Sequence, residues 1–155
     1  MNIVLIHTDQ QRYDSLGCTG NDYAVTPNVD RLGAEGTVFR RHISAHPVCM
    51  PSRSSLLSGL YPLGHGVVSN GIALPRREGV PHKDQWSHFV SHVDTLADRL
   101  AREGYHTRAI GKLHLTPTQS HIDLGYEECH DRWVERGMED WHGPYCGFEH
   151  VDATL

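Results

Sequence analysis

The eleven residues from Cys49 to Gly59 constrain the fold of this chain more than any other segment. Pro51 suits the first position of a helix, where its missing N–H has no cost, and Gly59 suits the position just past the helix end. The segment therefore predicts a short helix with Cys49 at its N-terminal mouth. Three leucines are expected to bury one face of it: Leu56, Leu57 and Leu60.

The N-terminal half of this segment suggests chemistry as well as structure. The N-terminus of a helix collects unpaired N–H groups and positive dipole, so it favours an anion and an activated thiol at Cys49. Arg53 lies about one turn further on and can hold a tetrahedral oxyanion with a planar fork of donors. A lone cysteine before a short helix would more simply be a buried structural residue, but the pattern here is longer than that.

Cys-x-Pro-Ser-Arg, followed by paired apolar residues and a Ser-Gly ending, resembles the signature of the type I sulfatases, within the alkaline phosphatase superfamily. The resemblance implies an α/β fold in which a mostly parallel sheet is flanked by helices. It implies hydrolysis of a sulfuric ester with a divalent metal, Ca²⁺ ahead of Mn²⁺. It also implies that a formylglycine-generating enzyme converts Cys49 to formylglycine, whose hydrate is the nucleophile.

The start of the chain agrees with this resemblance. Residues 1–7 are a continuous apolar run, which predicts a strand buried on both faces of a parallel sheet. That strand would deliver Asp9 to its carboxyl end, where α/β proteins place ligand sites. The resemblance makes Asp9 and the modified Cys49 metal ligands. Many relatives have a second acid at the position of Gln10. The Gln of this chain resembles the choline-sulfatase-like and phosphonate monoester hydrolase-like branch instead.

The next segment predicts a capped helix followed by a second strand. Thr26 suits the cap, Val29 and Leu32 the buried stripe, and Gly36 a left-handed stop. Residues 38–44 then suit a strand that leads into the loop carrying the cysteine motif.

A second motif lies further along the chain. Residues 94–104 predict a helix ended by Gly104, and residues 105–110 predict a strand that leads into Gly-Lys-Leu-His. This stretch resembles the second sulfatase signature. The resemblance implies that Lys112 and His114 contact the sulfate and assist the leaving oxygen.

Two further residues, Asn70 and His65, lie between the two motifs. Asn70 lies in Ser-Asn-Gly, which is typical of a turn. An active-site Asn at this distance from the nucleophile also occurs in the phosphonate monoester hydrolase branch, so both interpretations of Asn70 stay open. His65 lies in a stretch that resembles a common family segment, and a structural role is expected for it rather than a catalytic one.

Composition limits the other partners. The 14 basic and 19 acidic residues give a net charge of −5, which argues against nucleic acid or an anionic membrane. No stretch approaches the ~18 apolar residues of a membrane span. With no signal peptide visible and four widely spaced cysteines, the sequence predicts a cytoplasmic protein with reduced thiols. The expected partner is a small-molecule sulfate ester.

The length predicts part of a larger domain. Sulfatases are several times longer than these 155 residues, so the resemblance implies that residues 1–155 are the N-terminal portion of a sulfatase catalytic domain without its C-terminal part. Later metal ligands and a further Lys would be absent, and the chain alone is expected to be inactive. An uncovered sheet edge would favour self-association, so a homo-oligomer is one expected state.

Two alternative functions stay open. The first is hydrolysis of a phosphonate monoester or a phosphodiester, because sulfate and phosphoryl groups share tetrahedral geometry. The second is a non-catalytic structural or metal-binding module, motivated by the 13 His of this chain. Its zinc site would use residues that lie close together in sequence, although no Cys-x-x-Cys or finger spacing is present. Those residues are Cys129, His130, His142 and Cys146.

Overall fold

The structure is a computed structural model that describes residues 1–76 and 92–154. The chain divides into two compact units, Met1–Ile43 and Ser44–Leu155. Within the described residues, both β-strands belong to the second unit. None of the helices in these ranges combines the length and apolarity needed to cross a membrane.

The first unit is organised by polar contacts around Asp30. Its elements are two 3₁₀ turns and one helix, at Tyr13–Ser15, Gly17–Thr19 and α1 (Pro27–Glu35). The Asp30 carboxylate accepts from the backbone N–H of Cys18 at 2.7 Å and from the Thr26 hydroxyl at 3.0 Å. Thr26 Oγ1 in turn accepts from the backbone N–H of Gly17 at 2.9 Å. These bonds tie the start of α1 to the 3₁₀ turn before it.

The sequence predicts α1 correctly but not its surroundings. Val29 and Leu32, expected to be buried, are 42% and 62% exposed. Gly36 has φ −120° and is therefore not the left-handed stop that the pattern predicts. Its N–H donates to the carbonyl of Leu32, so the helix ends on an ordinary helical hydrogen bond, and a Cβ at this position would lie 3.0 Å from that carbonyl oxygen.

Neither predicted strand of the first unit is formed. Residues 1–7 and 38–44 belong to no strand, and the side chains of Val4 and Ile6 are 81% and 80% exposed. A strand needs a neighbour to pair its backbone groups, and the two strands of the described residues pair with each other. The prediction that Asp9 ends a buried strand is therefore wrong; Asp9 is exposed in a bend.

The second unit contains the parallel pairing that the α/β prediction requires. Its helices and strands are α2 (Cys49–Ser58), α3 (Pro62–His65), α4 (Leu96–Arg102), β1 (Arg108–Gly111), α5 (His130–Arg136) and β2 (His150–Ala153), with 3₁₀ turns at Ile122–Leu124 and Met138–Asp140. β1 and β2 are parallel neighbours, with Ala109 opposite Val151. Both of these side chains are buried, whereas Ile110 is 78% exposed. The strand predicted over 105–110 is thus confirmed in a shorter form.

An apolar core joins the sheet to α2. It consists of Met50, Leu57, Val67, Leu74, Val93, Ala109, Leu115, Tyr145, Cys146 and Val151. The backbone N–H of Leu74 donates to the carbonyl of Leu115 at 2.9 Å, which connects the segment after α3 to the segment after β1. The segment after β1 is therefore fixed twice, by the backbone hydrogen bond of Leu115 and by the packing of its side chain in the core.

A cap and an ion pair fix the start of α4. Thr95 and Asp98 form a reciprocal capping box, in which the Asp98 carboxylate accepts from the Thr95 N–H at 2.7 Å. The Arg76 guanidinium donates both to Asp98 Oδ1, at 2.7 Å, and to Asp98 Oδ2. Burial raises the pKa of Asp98, but the hydrogen bonds from Arg76 and Thr95 outweigh burial and bring the pKa to about 2.

His65 has the structural position that its sequence context predicts. It is fully buried, with Nε2 2.9 Å from the Ser55 hydroxyl and Nδ1 accepting from the Val67 N–H at 3.1 Å. Burial lowers the pKa of His65 more than its hydrogen bond with the Pro51 backbone raises it. A neutral imidazole therefore bridges α2 and the segment after α3.

Candidate active site

Cys49 is the first residue of α2 and is half-buried. The helix begins two residues earlier than predicted, because the Ser52 N–H already donates to the carbonyl of Val48 at 3.1 Å. Pro51 consequently takes the third helical position, where a missing N–H is still free of cost. Gly59 ends the helix with φ +71°, as predicted.

The buried face of α2 is more polar than the three leucines suggest. Leu57 is buried, but Leu56 and Leu60 are 41% and 44% exposed. Their expected places are taken by Arg53 and Ser54, which are 7% and 0% exposed. The inner face of α2 thus delivers a guanidinium into the interior, which apolar periodicity alone does not predict.

Asn70 lies at the N-terminus of α2. Its side-chain oxygen accepts from the backbone N–H of Met50 at 3.0 Å. Val48, at the cap position, makes no capping bond through its side chain, so Asn70 satisfies a donor that a local cap would normally satisfy. Asn70 also lies in a turn, as its Ser-Asn-Gly context predicts. Met50, whose N–H Asn70 binds, is the residue after Cys49 in α2. The catalytic role of Asn70 stays a prediction.

Arg53 connects the two sequence motifs. Its Nη1 donates to the backbone carbonyl of Lys112 at 2.7 Å, across 59 positions of the chain. Because the guanidinium is almost completely buried, this bond holds it in a defined orientation. The end of β1 and the first turn of α2 are thereby brought together.

His114 is held by a buried carboxylate that sequence reasoning missed. His114 has φ +53°, and its N–H donates to Oε1 of Glu128. Oε2 of Glu128 accepts from the N–H groups of Leu115 and Thr116, at 2.6 and 3.0 Å, and from the Tyr145 hydroxyl at 2.7 Å. Glu128 is 3% exposed, so these donors replace the water that a charged carboxylate needs.

No local sequence signal marks Glu128. Its partners lie 12 to 17 positions away, beyond the range of helical, strand or turn periodicities. Its hydrogen bonds fix the backbone immediately after Lys112 in an unusual left-handed turn at His114. We therefore regard Glu128 as the residue that positions the second motif.

A cavity of about 570 Å³ opens beside this motif, a size typical of ligand sites. It is lined by Lys112, His114, Thr118, Gln119, Ser120, Glu128, His130, Asp131 and Thr154. Among the residues that the structure describes, the lining includes both candidate side chains of the second motif but not Cys49. Lys112, which lines the cavity, is linked to the first motif because its carbonyl accepts from Arg53.

The zinc site considered from sequence is not formed. Cys129 donates its thiol hydrogen to the Ser120 carbonyl at 3.0 Å, and burial raises the pKa of the Cys146 thiol well above its usual range. Neither cysteine belongs to a cluster of three potential ligands within residues 1–76 and 92–154. All four cysteines are free.

Comparison with known proteins decides the family. The sequence model of the sulfatase family matches residues 1–147. The chain belongs to the sulfatase family. It is 37% identical over 133 residues to an arylsulfatase of Clostridium perfringens, an alignment that covers 86% of this chain and 25% of that protein. It is 32% identical to the N-acetylgalactosamine-6-sulfatase of Mus musculus, over 97% of this chain and 27% of that protein.

The fold of this sulfatase-family chain agrees with solved structures. The phosphonate monoester hydrolase of Agrobacterium radiobacter superposes with a TM-score of 0.62 at 27% identity, over 92% of this chain and 24% of that one. The α/β class and the alkaline phosphatase/sulfatase-like fold are thus confirmed. The chain spans about a quarter of the length of the relatives it matches.

Proposed function

We propose that this chain supplies part of the active site of a sulfuric ester hydrolase, with Cys49 converted to formylglycine as its nucleophile. The observation that supports this most is the bond from Arg53 to the carbonyl of Lys112. It joins the two sulfatase motifs at the N-terminus of α2, where an anion is favoured.

The side chains of the chain suit a tetrahedral anion. Arg53 and Lys112 would hold the equatorial oxygens of the sulfate as charge redistributes, each donor contributing roughly 3 kcal/mol. His114 would transfer a proton to the departing alcohol oxygen. Glu128 would keep His114 in place through the backbone hydrogen bonds described above.

Formylglycine at Cys49, as its hydrate, would supply a nucleophilic hydroxyl for sulfur and a second hydroxyl whose proton loss would let sulfate leave. The oxygens of the hydrate and the Asp9 carboxylate are hard donors. Calcium prefers such oxygen ligands to the sulfur of a thiol. The metal would neutralise the sulfate charge. Calcium takes roughly 6–8 oxygen ligands, so we assign the activity to the whole protein rather than to these 155 residues.

A second candidate is hydrolysis of a phosphonate monoester. Asn70 lies beside the first turn of α2, with its oxygen on the N–H of Met50, and Gln10 follows Asp9. At both positions the sequence resembles the phosphonate monoester hydrolase branch. The same oxyanion donors would serve a phosphoryl group, since the two groups share their geometry.

The proposal is tested by turnover of an aryl sulfate and a phenyl phosphonate, side by side, in the whole protein with Cys49 converted. Arg53→Lys is expected to lower kcat/KM for the preferred substrate about 100-fold with little change in melting temperature, because Lys cannot reproduce a two-pronged contact. The matched control Arg99→Lys changes an exposed arginine of α4 and should leave kcat/KM unchanged.

Three results would count against the proposal. Equal turnover by Arg53→Lys would remove Arg53 from the site. A fall in melting temperature large enough to explain the lost activity would make its role structural. Faster turnover of the phosphonate than of the sulfate would favour the second candidate.

A further inference from the structure

We propose that His142, His150 and Asp152 bind a divalent transition-metal ion of the zinc type. None of the three belongs to either sulfatase motif, and the proposal does not depend on the hydrolytic function. Each residue offers one ligand atom, and these atoms all lie within 4.8 Å of one another.

The geometry of β2 brings two of the ligands together. His150 and Asp152 are two positions apart on the strand, so their side chains lie on the same face. Nε2 of His150 is 3.2 Å from Oδ1 of Asp152. From the neighbouring segment, Nδ1 of His142 approaches the same oxygen to 3.1 Å. Ligand atoms around zinc, at about 2.1 Å from the ion, are separated by roughly this distance.

The third ligand is held to the strand by its own backbone. The Val151 N–H donates to the carbonyl of His142 at 2.8 Å, which fixes His142 beside the two ligands of β2. The imidazole rings of His142 and His150 are stacked, with centroids 5.0 Å apart and planes inclined by 10°. The three side chains therefore need little rearrangement to converge on one ion.

Arg108 orients the carboxylate. Its Nη2 donates to Oδ2 of Asp152 at 2.5 Å, while Oδ1 faces the two imidazoles. Arg108 lies on β1, opposite His150 in the parallel register, so the sheet itself fixes this contact. A hydrogen-bonded outer oxygen is the usual partner arrangement for a carboxylate that ligates a metal through its other oxygen.

The donor set selects the class of ion. Two imidazoles and one carboxylate suit zinc, cobalt or nickel, whereas calcium and magnesium prefer oxygen ligands alone. The side chains of His142, His150 and Asp152 are 52%, 42% and 32% exposed, so an ion can reach them from solvent. Water would complete the coordination. The bound ion would clip the segment at His142 to β2 and stabilise the second unit by mass action.

The test uses the purified chain after removal of metals with a chelator. Co²⁺ is titrated while visible absorption is recorded, and Zn²⁺ binding is measured by calorimetry. We expect one high-affinity site, visible cobalt bands without thiolate charge transfer, and a melting temperature that rises with Zn²⁺. His142→Gln and His150→Gln, each half-exposed and checked by circular dichroism, should weaken binding about tenfold or more.

Matched variants separate this site from others. His106→Gln changes a fully exposed histidine that also faces a carboxylate, that of Glu149, and should bind like the wild type. Asp9→Asn and Cys49→Ser should also keep the cobalt spectrum. Wild-type binding in both His→Gln variants, or loss of the spectrum in Asp9→Asn or Cys49→Ser, would overturn the proposal. So would the absence of cobalt binding, which would leave the cluster as a set of hydrogen bonds.

Discussion

The two compact units of this chain use apolar residues in different ways. In Ser44–Leu155, apolar side chains from α2, the sheet and the connecting segments pack into a buried core. In Met1–Ile43 no residue is buried, and the apolar run at the start of the chain is largely exposed. The first unit is instead held by polar contacts around Asp30. An apolar pattern thus shows which segments favour burial, but burial itself depends on a partner element.

This difference has a consequence for stability. Local opening requires little free energy where few apolar contacts are lost, so the first unit should open more easily than the second. Cys49, Arg53, Asn70, Lys112 and His114 all belong to the second unit. The candidate catalytic side chains are therefore carried by the better packed part of the chain.

The largest effect is expected from removing a core side chain of the second unit. Leu115→Ala should lower the free energy of unfolding by about 2–5 kcal/mol, because Leu115 is fully buried and would leave a cavity. Ile6→Ala, in the first unit, is the matched control and should cost less than about 0.5 kcal/mol. Urea denaturation measures both. Equal costs would show that the first unit is packed as well as the second.

A slightly smaller effect is expected at Glu128. Glu128→Gln should cost about 2–3 kcal/mol, since an amide cannot accept all the hydrogen bonds that the carboxylate accepts. Glu135→Gln, at an exposed position of α5, should be nearly neutral. Thermal denaturation measures the cost, and hydrogen exchange of the Leu115 and Thr116 amides reports its location. Unchanged protection of these amides would contradict the positioning role.

The ion pair at the start of α4 should appear as a pH dependence. The pKa of Asp98 is about 2, below its ordinary 3.8, so its stabilisation is present above about pH 4 and is lost as pH falls through 2. The shift corresponds to about 2 kcal/mol. Asp98→Asn should therefore cost this much at pH 7 and progressively less towards pH 2.

Urea denaturation between pH 2 and 7 tests the Asp98 prediction. Asp123→Asn, whose side chain is 79% exposed, is the control and should cost less than about 0.5 kcal/mol at pH 7. A cost of Asp98→Asn that is the same at pH 2 and pH 7 would mean that the ion pair with Arg76 adds nothing.

The smallest effect compares two glycines with the same backbone requirement. Gly59 and Gly20 have φ of +71° and +104°, and an added Cβ meets nothing within 4 Å at either position. Gly59→Ala should cost about 1 kcal/mol, because alanine disfavours the left-handed region. Gly20→Ala, in the less packed first unit, should lower the free energy of the main unfolding transition by less than Gly59→Ala does. The opposite order would contradict the difference between the units.

The features predicted correctly from sequence are local. Pro27 and Gly59 mark one end each of α1 and α2, and Gly104 follows α4 closely. The strand predicted over 105–110 is formed as β1. The motif resemblance predicts that Arg53 and Lys112 act in one site, and in the structure Arg53 donates to the Lys112 carbonyl.

The features that were missed or wrong depend on distant partners. Residues 1–7 read as a strand, but no described neighbour pairs with them. Glu128 accepts hydrogen bonds from residues 12 to 17 positions away. The ion pair between Arg76 and Asp98 joins residues 22 positions apart. The cluster of His142 and Asp152 depends on a backbone bond to β2. Periodicity and capping rules do not reach contacts of this kind.

The central claim is that Cys49, the first residue of α2, provides the nucleophile of a sulfatase-type site. Peptide mass spectrometry tests it most directly, on the protein coexpressed with a formylglycine-generating enzyme. The aldehyde is expected at Cys49 and not at Cys18, which lies outside the Cys-x-Pro-x-Arg motif and serves as the internal control. An unmodified thiol at Cys49, in cells where a known sulfatase is converted, would contradict the claim.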